Sequence, residues 1–212
     1  MAEHTFEVQD GIGVLTFNRP QVLNALTLEL YAEYLELLWR LQSDQQVKVL
    51  VLTGAGRAFC SGGDVHKIIG ELLAEDMRAH LEFTRMTGTV VRNMRMLDKP
   101  IIAAVNGIAA GAGAVIALAS DLRVVAESAK FAFLFTKVGL AGADMGAAYL
   151  LPRVVGMGRA AEILLMGENI DAVSAERIGL ANRVVPDGEA LRVALEWATK
   201  LAAGPSLALA TT

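Results

Sequence analysis

Cysteine occurs once, at Cys60, so no internal disulfide can form; a reducing, cytoplasmic compartment is expected. Three scattered histidines, His4, His66 and His80, together with that single thiol offer no metal-ligand spacing, so no metal is expected. Lys and Arg form no run and the formal charge is −4, which argues against a nucleic-acid partner. The opening MAEHTFEVQDG lacks the apolar stretch of a signal peptide. Internal repeats, linkers and low-complexity tracts are also missing. What fills the sequence instead is apolar: 54% of 212 residues. That length and apolar content support one sizeable core, in one domain with an appendage. It also implies elements buried on all sides, or further burial at a subunit interface.

The longest apolar stretch runs from Pro100 to Asp121. Ile101 to Val105 reads as a buried strand, Asn106-Gly107 with Gly111 and Gly113 as a glycine turn, and Ala112 to Ala119 as a buried helix starting near Gly111. Its length suits a membrane span, but Asn106 and the glycines break it, and Pro100 and Asp121 bracket it. A helix that begins without bulk in front of it presents unpaired N–H groups and partial positive charge, a place for a developing oxyanion. An ordinary strand–helix crossover, packed closely through glycine, has the same pattern.

Asp10-Gly11 between two short apolar runs, 6–9 and 14–17, signals a hairpin. Thr27 is placed to cap a helix reaching about Gln42. Residues 47–53, VKVLVLT, form a strand covered on both faces. The glycine-rich segment GAGRAFCSGGD, 54–64, follows it and is read as a loop, either a ligand loop at a sheet edge or a plain connection. It fits neither a dinucleotide fingerprint nor a phosphate-binding loop. Segment 68–96 is expected to be helical, with a weak apolar face and many charges, including Glu71, Glu75 and Asp76, and to act as a mobile lid. Strands are expected at 122–126, 130–133 and 183–185. Helices are expected ending near Leu151-Pro152, at 160–166, at 174–178 with Ser174 as cap, at 189–203, and beginning at 206–210. Asp144, in the glycine–alanine loop 138–146, has two readings: a helix N-cap, or a carboxylate in apolar surroundings whose pKa rises and which moves protons.

Several of these pieces, in order, resemble the enoyl-CoA hydratase/isomerase (crotonase) family. They are Asn18-Arg19-Pro20, Asn24-Ala25-Leu26, Arg57 to Asp64, Lys99-Pro100, Asn106-Gly107, Gly111-Ala112-Gly113, Asp121-Leu122-Arg123, Val138-Gly139-Leu140 and Leu151-Pro152-Arg153. The resemblance covers essentially the whole chain. It implies an α/β fold in a single domain over 1–212: a spiral of ββα turns with mainly parallel sheets surrounded by helices, with a core over roughly 1–190 and the start of a C-terminal helical region at 191–212, the usual C-terminal helical tail being absent or truncated. It implies an acyl-CoA substrate, no cofactor beyond the coenzyme A of that substrate, no membrane partner, and a homotrimer or dimer of trimers. Backbone amides of Gly63 and Ala112 would hold the thioester oxygen. CoA and substrate contacts would fall at Gln21, Val22, Leu23 and Ala25, at Ser61, Asp64, Val65 and His66, and at Gly111, Val115, Phe135 and Leu140. His66 stands where relatives often carry a lysine near the CoA phosphates; an exposed polar residue is the competing reading.

The departures shape the chemistry. Hydratases of the family use two glutamates, at positions occupied here by Val115 and Phe135, and neither can transfer a proton. Asp144 lies where dienoyl-CoA isomerases and 4-chlorobenzoyl-CoA dehalogenases of the family carry a catalytic aspartate, after a loop one residue longer. The expectation is therefore an acyl-CoA lyase or isomerase that stabilises a thioester enolate, with Asp144 as acid/base. A non-catalytic acyl-CoA binder and an Asp144-nucleophile hydrolase or dehalogenase are the alternatives.

Overall fold

A computed structural model describes residues 3–64, 68 and 76–212. The chain opens with strands β1 (His4–Gln9) and β2 (Ile12–Phe17), joined through Asp10 and Gly11. Both turn residues have positive φ, 52° and 82°, the backbone that a two-residue hairpin requires and that Asp and Gly tolerate. Helix α1 (Leu28–Ser43) starts where the Thr27 hydroxyl accepts the Leu30 N–H at 3.3 Å. Its buried face carries Leu30, Tyr31, Tyr34, Leu37, Leu38 and Leu41.

From there the chain alternates between two sheets. Strands β3 (Val49–Gly54), β5 (Ile101–Val105), β7 (Leu122–Ala126) and β10 (Arg183–Val185) extend the first, in the order β1-β2-β3-β5-β7-β10. Short strands β4 (Ala58–Cys60), β6 (Ile108–Ala110), β8 (Lys130–Ala132) and β9 (Asn169–Asp171) form the second, in that order. All neighbours are parallel except β1/β2 and β8/β9. The pairs β3/β4, β5/β6 and β7/β8 thus each give one strand to each sheet before a helix. Strand β5 is buried throughout and β3 from Val49 to Thr53, which fits strands covered on both faces.

Helix α2 (Met77–Arg95) is capped by Asp76, whose carboxylate accepts N–H groups of Arg78 and Ala79, and packs on α1. Helix α3 (Ala112–Ala119) is buried at every residue. At its C-terminus the buried Arg123 guanidinium donates to the carbonyls of Ala117, Leu118 and Ser120, closing groups the helix leaves open. Helices α4 (Ala147–Val155), α5 (Met157–Met166), α6 (Ala172–Arg177), α7 (Ala190–Ala202) and α8 (Ser206–Ala210) follow, and α7 covers the first sheet. No helix among the described residues is long and apolar enough to cross a membrane.

Several local expectations are corrected. The glycine-rich segment 54–64 contains β4, and the turn after β5 contains β6, because each three-residue run is satisfied by pairing with the other. Strand β9 pairs antiparallel with β8, which no period in three residues could reveal. Helix α4 passes through Pro152 rather than ending there; its stop is Gly156, at φ 80°, whose N–H donates to the Pro152 carbonyl. Helix α6 is capped by Asp171, not Ser174: the Asp171 carboxylate accepts the Ser174 N–H at 2.7 Å and moves the start back two residues. The C-terminal half of α2 has a well-buried face, with Thr87, Val90, Val91 and Met94. The lid reading of 68–96 falls in part, at 69–75 with Glu71 and Glu75, on residues outside the described ones.

Candidate active site

The site forms where β4 ends, α3 begins, and the loop after β2 lies alongside. That loop is held from within. Leu23 and Asn24 are both left-handed, with φ 54° and 58°. Asparagine tolerates that backbone and uses its side chain to fix it. Asn24 Nδ2 donates to the carbonyls of Ala58 at 2.8 Å and Ala55 at 3.0 Å, while its Oδ1 accepts the Arg19 N–H at 2.9 Å. Arg19, itself buried, donates to the Ala25 carbonyl at 2.6 Å and reaches the Asp64 carboxylate at 3.5 Å. Arg19 and Asn24 therefore tie the loop 20–26 to the segment 55–64.

The tie sets the direction of one amide. Leu26 pairs with Gly63 as a parallel bridge: the Leu26 N–H donates to Gly62 O at 2.8 Å and the Asp64 N–H to Leu26 O at 2.7 Å. In such a pair the middle residue turns its own N–H to the other side. The Gly63 N–H has no backbone acceptor among the described residues. The Ala112 N–H, at the first turn of α3, likewise has none; helical bonding begins with Val115 N–H to Gly111 O at 3.1 Å.

Glycine brings these two stretches together. A Cβ on Gly62, where φ is +100°, would lie 2.9 Å from Ala110 O and 3.4 Å from Ala112 N. A Cβ on Gly113 would stand 2.1 Å from Cys60 O, so no other residue fits there without moving backbone. The segments carrying Gly63 and Ala112 therefore run in van der Waals contact.

Asp144 opens a 3₁₀ turn, Asp144–Gly146, that packs against α2, α3 and α4. It does not cap α4; its Oδ1 accepts the N–H of Met145 at 2.9 Å. Burial raises its carboxyl above the ordinary carboxylate value, and the Met145 N–H offsets part of that rise. Met145 is left-handed without being glycine, φ 51° and ψ 18°, a strain of the kind that collects at functional sites.

Tyr31, which its helical spacing marks only as an apolar position of α1, stands between the two parts. Its hydroxyl lies 4.0 Å from Met145 Sδ and 4.0 Å from where a Cβ of Gly63 would be. Burial raises its pKa well above the ordinary value, with Cys60 and then Asp144 adding to the rise. Burial also pushes the Cys60 thiol up to about 12, so it stays neutral. The only sequence signal for Tyr31 was a hydroxyl on an otherwise apolar face.

The remaining expected residues spread around this centre. Gln21 and Val22 are exposed and Leu23 half-buried in the loop; Ala25 is buried beneath it. Ser61 donates its N–H to Leu23 O at 3.0 Å, and its hydroxyl reaches Val22 O at 3.4 Å. Gly111 precedes α3, with φ +50°. Val115 is sealed in the core, Phe135 is buried, and Leu140 is exposed. Val65 and His66 lie outside the described residues.

The family model described as enoyl-CoA hydratase/isomerase matches residues 7–212. The chain is 39% identical over 202 residues to a 1,2-epoxyphenylacetyl-CoA isomerase of Escherichia coli (strain K12), covering 95% of this chain and 77% of that protein. It is 35% identical over 206 residues to a 4-chlorobenzoyl coenzyme A dehalogenase-2 of an Arthrobacter species, covering 96% and 72%. The crystal structure of a putative enoyl-CoA hydratase from Streptomyces coelicolor A3(2) superposes with a TM-score of 0.96 at 53% identity, covering 99% of this chain and 76% of that one. With a family match over nearly its full length and the same fold at that identity, the chain belongs to the enoyl-CoA hydratase/isomerase (crotonase) family.

Proposed function

We propose that this enzyme of the hydratase/isomerase type acts on acyl-CoA thioesters, with the thioester oxygen on the amides of Gly63 and Ala112 and Asp144 as the acid/base. The observation that carries the reading is the contact between the two glycine-built segments, whose N–H groups have no backbone acceptor among the described residues. Hydrogen bonds to the carbonyl oxygen stabilise the negative charge that develops there, and make a proton on the adjacent carbon acidic. Asp144, ionised, takes that proton; the electron pair moves onto the thioester oxygen as an enolate. Return of the same proton to a different carbon shifts a double bond and restores the carboxylate. A raised carboxyl pKa makes Asp144 a stronger base than a solvated aspartate.

Water addition by a glutamate pair is not part of the reading, since Val115 and Phe135 hold those positions and carry no titratable group. No group beyond the coenzyme A of the substrate is required. Assembly into a trimer or dimer of trimers belongs to the same reading; exposed Tyr149, Met157, Leu165 and Met166 on the consecutive helices α4 and α5 support it. Likeness to a dehalogenase favours a second reading, attack by the Asp144 carboxylate on the acyl group.

Incubation with crotonyl-CoA, a 3-enoyl-CoA and a dienoyl-CoA, each followed by absorbance, tests the reaction. The proposal expects a double-bond shift and little hydration of crotonyl-CoA. An acyl adduct on Asp144 seen by mass spectrometry would favour attack by the carboxylate. Binding of every thioester without turnover would leave a binding protein rather than an enzyme.

A further inference from the structure

We infer that the Tyr31 hydroxyl is a third hydrogen-bonding group of the acyl site, and that it selects acyl-CoA thioesters bearing an oxygen on the acyl chain near the thioester. The inference rests on the acyl-CoA reading of the site and adds a substrate class to it.

Tyr31 is 2% exposed, on the face of α1 turned towards α2 and the Asp144 turn. Its ring meets Phe83 edge-on, with centroids 6.2 Å apart and planes at 89°. Phenylalanine would fill the same space and make the same ring contact, so packing does not call for the hydroxyl. A buried O–H without a good acceptor is destabilising, and here the acceptor is the Met145 thioether at 4.0 Å, a weak one at long range.

The position of this oxygen is what gives it a use. It lies beside Gly63, one of the two amides assigned to the thioester oxygen, and against Met145, the strained neighbour of Asp144. Ile68 also approaches this spot, its Cδ1 3.3 Å from a Cβ built on Gly63. Burial, Cys60 and Asp144 all hold the phenol in its neutral form, so it keeps the proton it would donate. Among the described residues, a plain hydrocarbon acyl chain leaves this donor with the thioether alone. A hydroxyl, epoxide or keto oxygen on the chain gives it a proper acceptor in a water-poor setting. A site built to hydrogen-bond a substrate oxygen discriminates strongly against the analogue that lacks it.

Calorimetric titration of the wild-type protein and of Tyr31→Phe with butyryl-CoA, 2-hydroxybutyryl-CoA and 3-hydroxybutyryl-CoA tests this, with each ligand checked afterwards by chromatography for turnover. At least one hydroxyacyl thioester is expected to bind the wild type about tenfold more tightly than butyryl-CoA, and to lose that advantage in Tyr31→Phe, while butyryl-CoA binds both proteins alike. The same affinity ratio in both proteins would overturn the role of Tyr31 and leave the acyl-CoA site standing. Failure of all three ligands to bind the wild type would instead remove the acyl-CoA reading itself. Should Tyr31→Phe not fold, the wild-type titrations decide: no preference for either hydroxyacyl thioester overturns the inference.

Discussion

Between β4 and α3 the groups proposed to face the ligand are main-chain amides; in the turn at 144–146 the proposed chemistry rests on one side chain. The first region is fixed by what its residues lack. Gly62 and Gly113 carry no Cβ, and that lets Gly63 and Ala112 come from distant segments into neighbouring positions. The second region is fixed by what one residue has, a carboxylate, placed on a turn with a strained methionine after it. An amide donor is the same for every residue but proline, so the proposed role asks nothing of the Ala112 side chain. A side-chain acid can be replaced or moved without disturbing the amides. Two relatives of this chain are an epoxyphenylacetyl-CoA isomerase and a chlorobenzoyl-CoA dehalogenase, so the same architecture accompanies different reactions.

If the comparison holds, damage to the two regions should look different. Gly113→Val attacks the first at its tightest point, since even a Cβ would meet the Cys60 carbonyl at 2.1 Å. Loss of about 3 kcal/mol or more is expected, with little folded protein left, as read by thermal unfolding. A stable variant would mean that the backbone contact is looser than described. Asp144→Asn attacks the second. Turnover should fall by about 10²–10⁴-fold, while acyl-CoA affinity and thermal stability stay close to wild type. Full turnover would remove Asp144 from the chemistry.

Asn24→Ala lies between these extremes. It removes the side-chain partner of the Ala55 carbonyl and of the Arg19 N–H and leaves the Ala58 carbonyl to Asn106 Nδ2 at 3.2 Å, so urea unfolding should show a loss of about 1–3 kcal/mol. Acyl-CoA affinity should fall as well, because the loop it holds aims Gly63. A loss of stability with unchanged affinity would separate the loop from the site. The smallest effect expected is a pH dependence. The folded protein holds the Asp144 proton more tightly than the unfolded chain, because burial disfavours the carboxylate. The stabilising contribution of that proton is complete below the unfolded-state carboxyl value and is lost as pH rises through the folded one. Stability of the wild type relative to Asp144→Asn should therefore decline gently with rising pH above the ordinary carboxylate range. A rise instead would mean that Asp144 is better solvated or paired than its burial indicates.

The same contrast explains what the sequence made legible. β5, α3 and their junction at Gly111 were readable because a β-branched run, two glycines and a charge-free helix each point one way. Asp144 was noticeable as an acid among glycine and alanine, but only its carboxylate's bond to the Met145 N–H, in place of a cap on α4, sets the cap reading aside. β4, β6 and β9 were hidden, since three residues carry no period and pair with partners far along the chain. The tie made by Arg19 and Asn24 was also hidden. A motif marks these residues, but nothing local says that an asparagine side chain bonds carbonyls more than thirty positions away. Tyr31 was masked by the apolar face it sits in.

The most direct test of the account is a crystal structure with a non-hydrolysable acyl-CoA bound. The account predicts the thioester oxygen within hydrogen-bonding distance of both the Gly63 and the Ala112 N–H, with the Asp144 carboxylate beside the carbon next to it. A thioester oxygen held by other groups, or by one of the two amides with the other facing solvent, would contradict it.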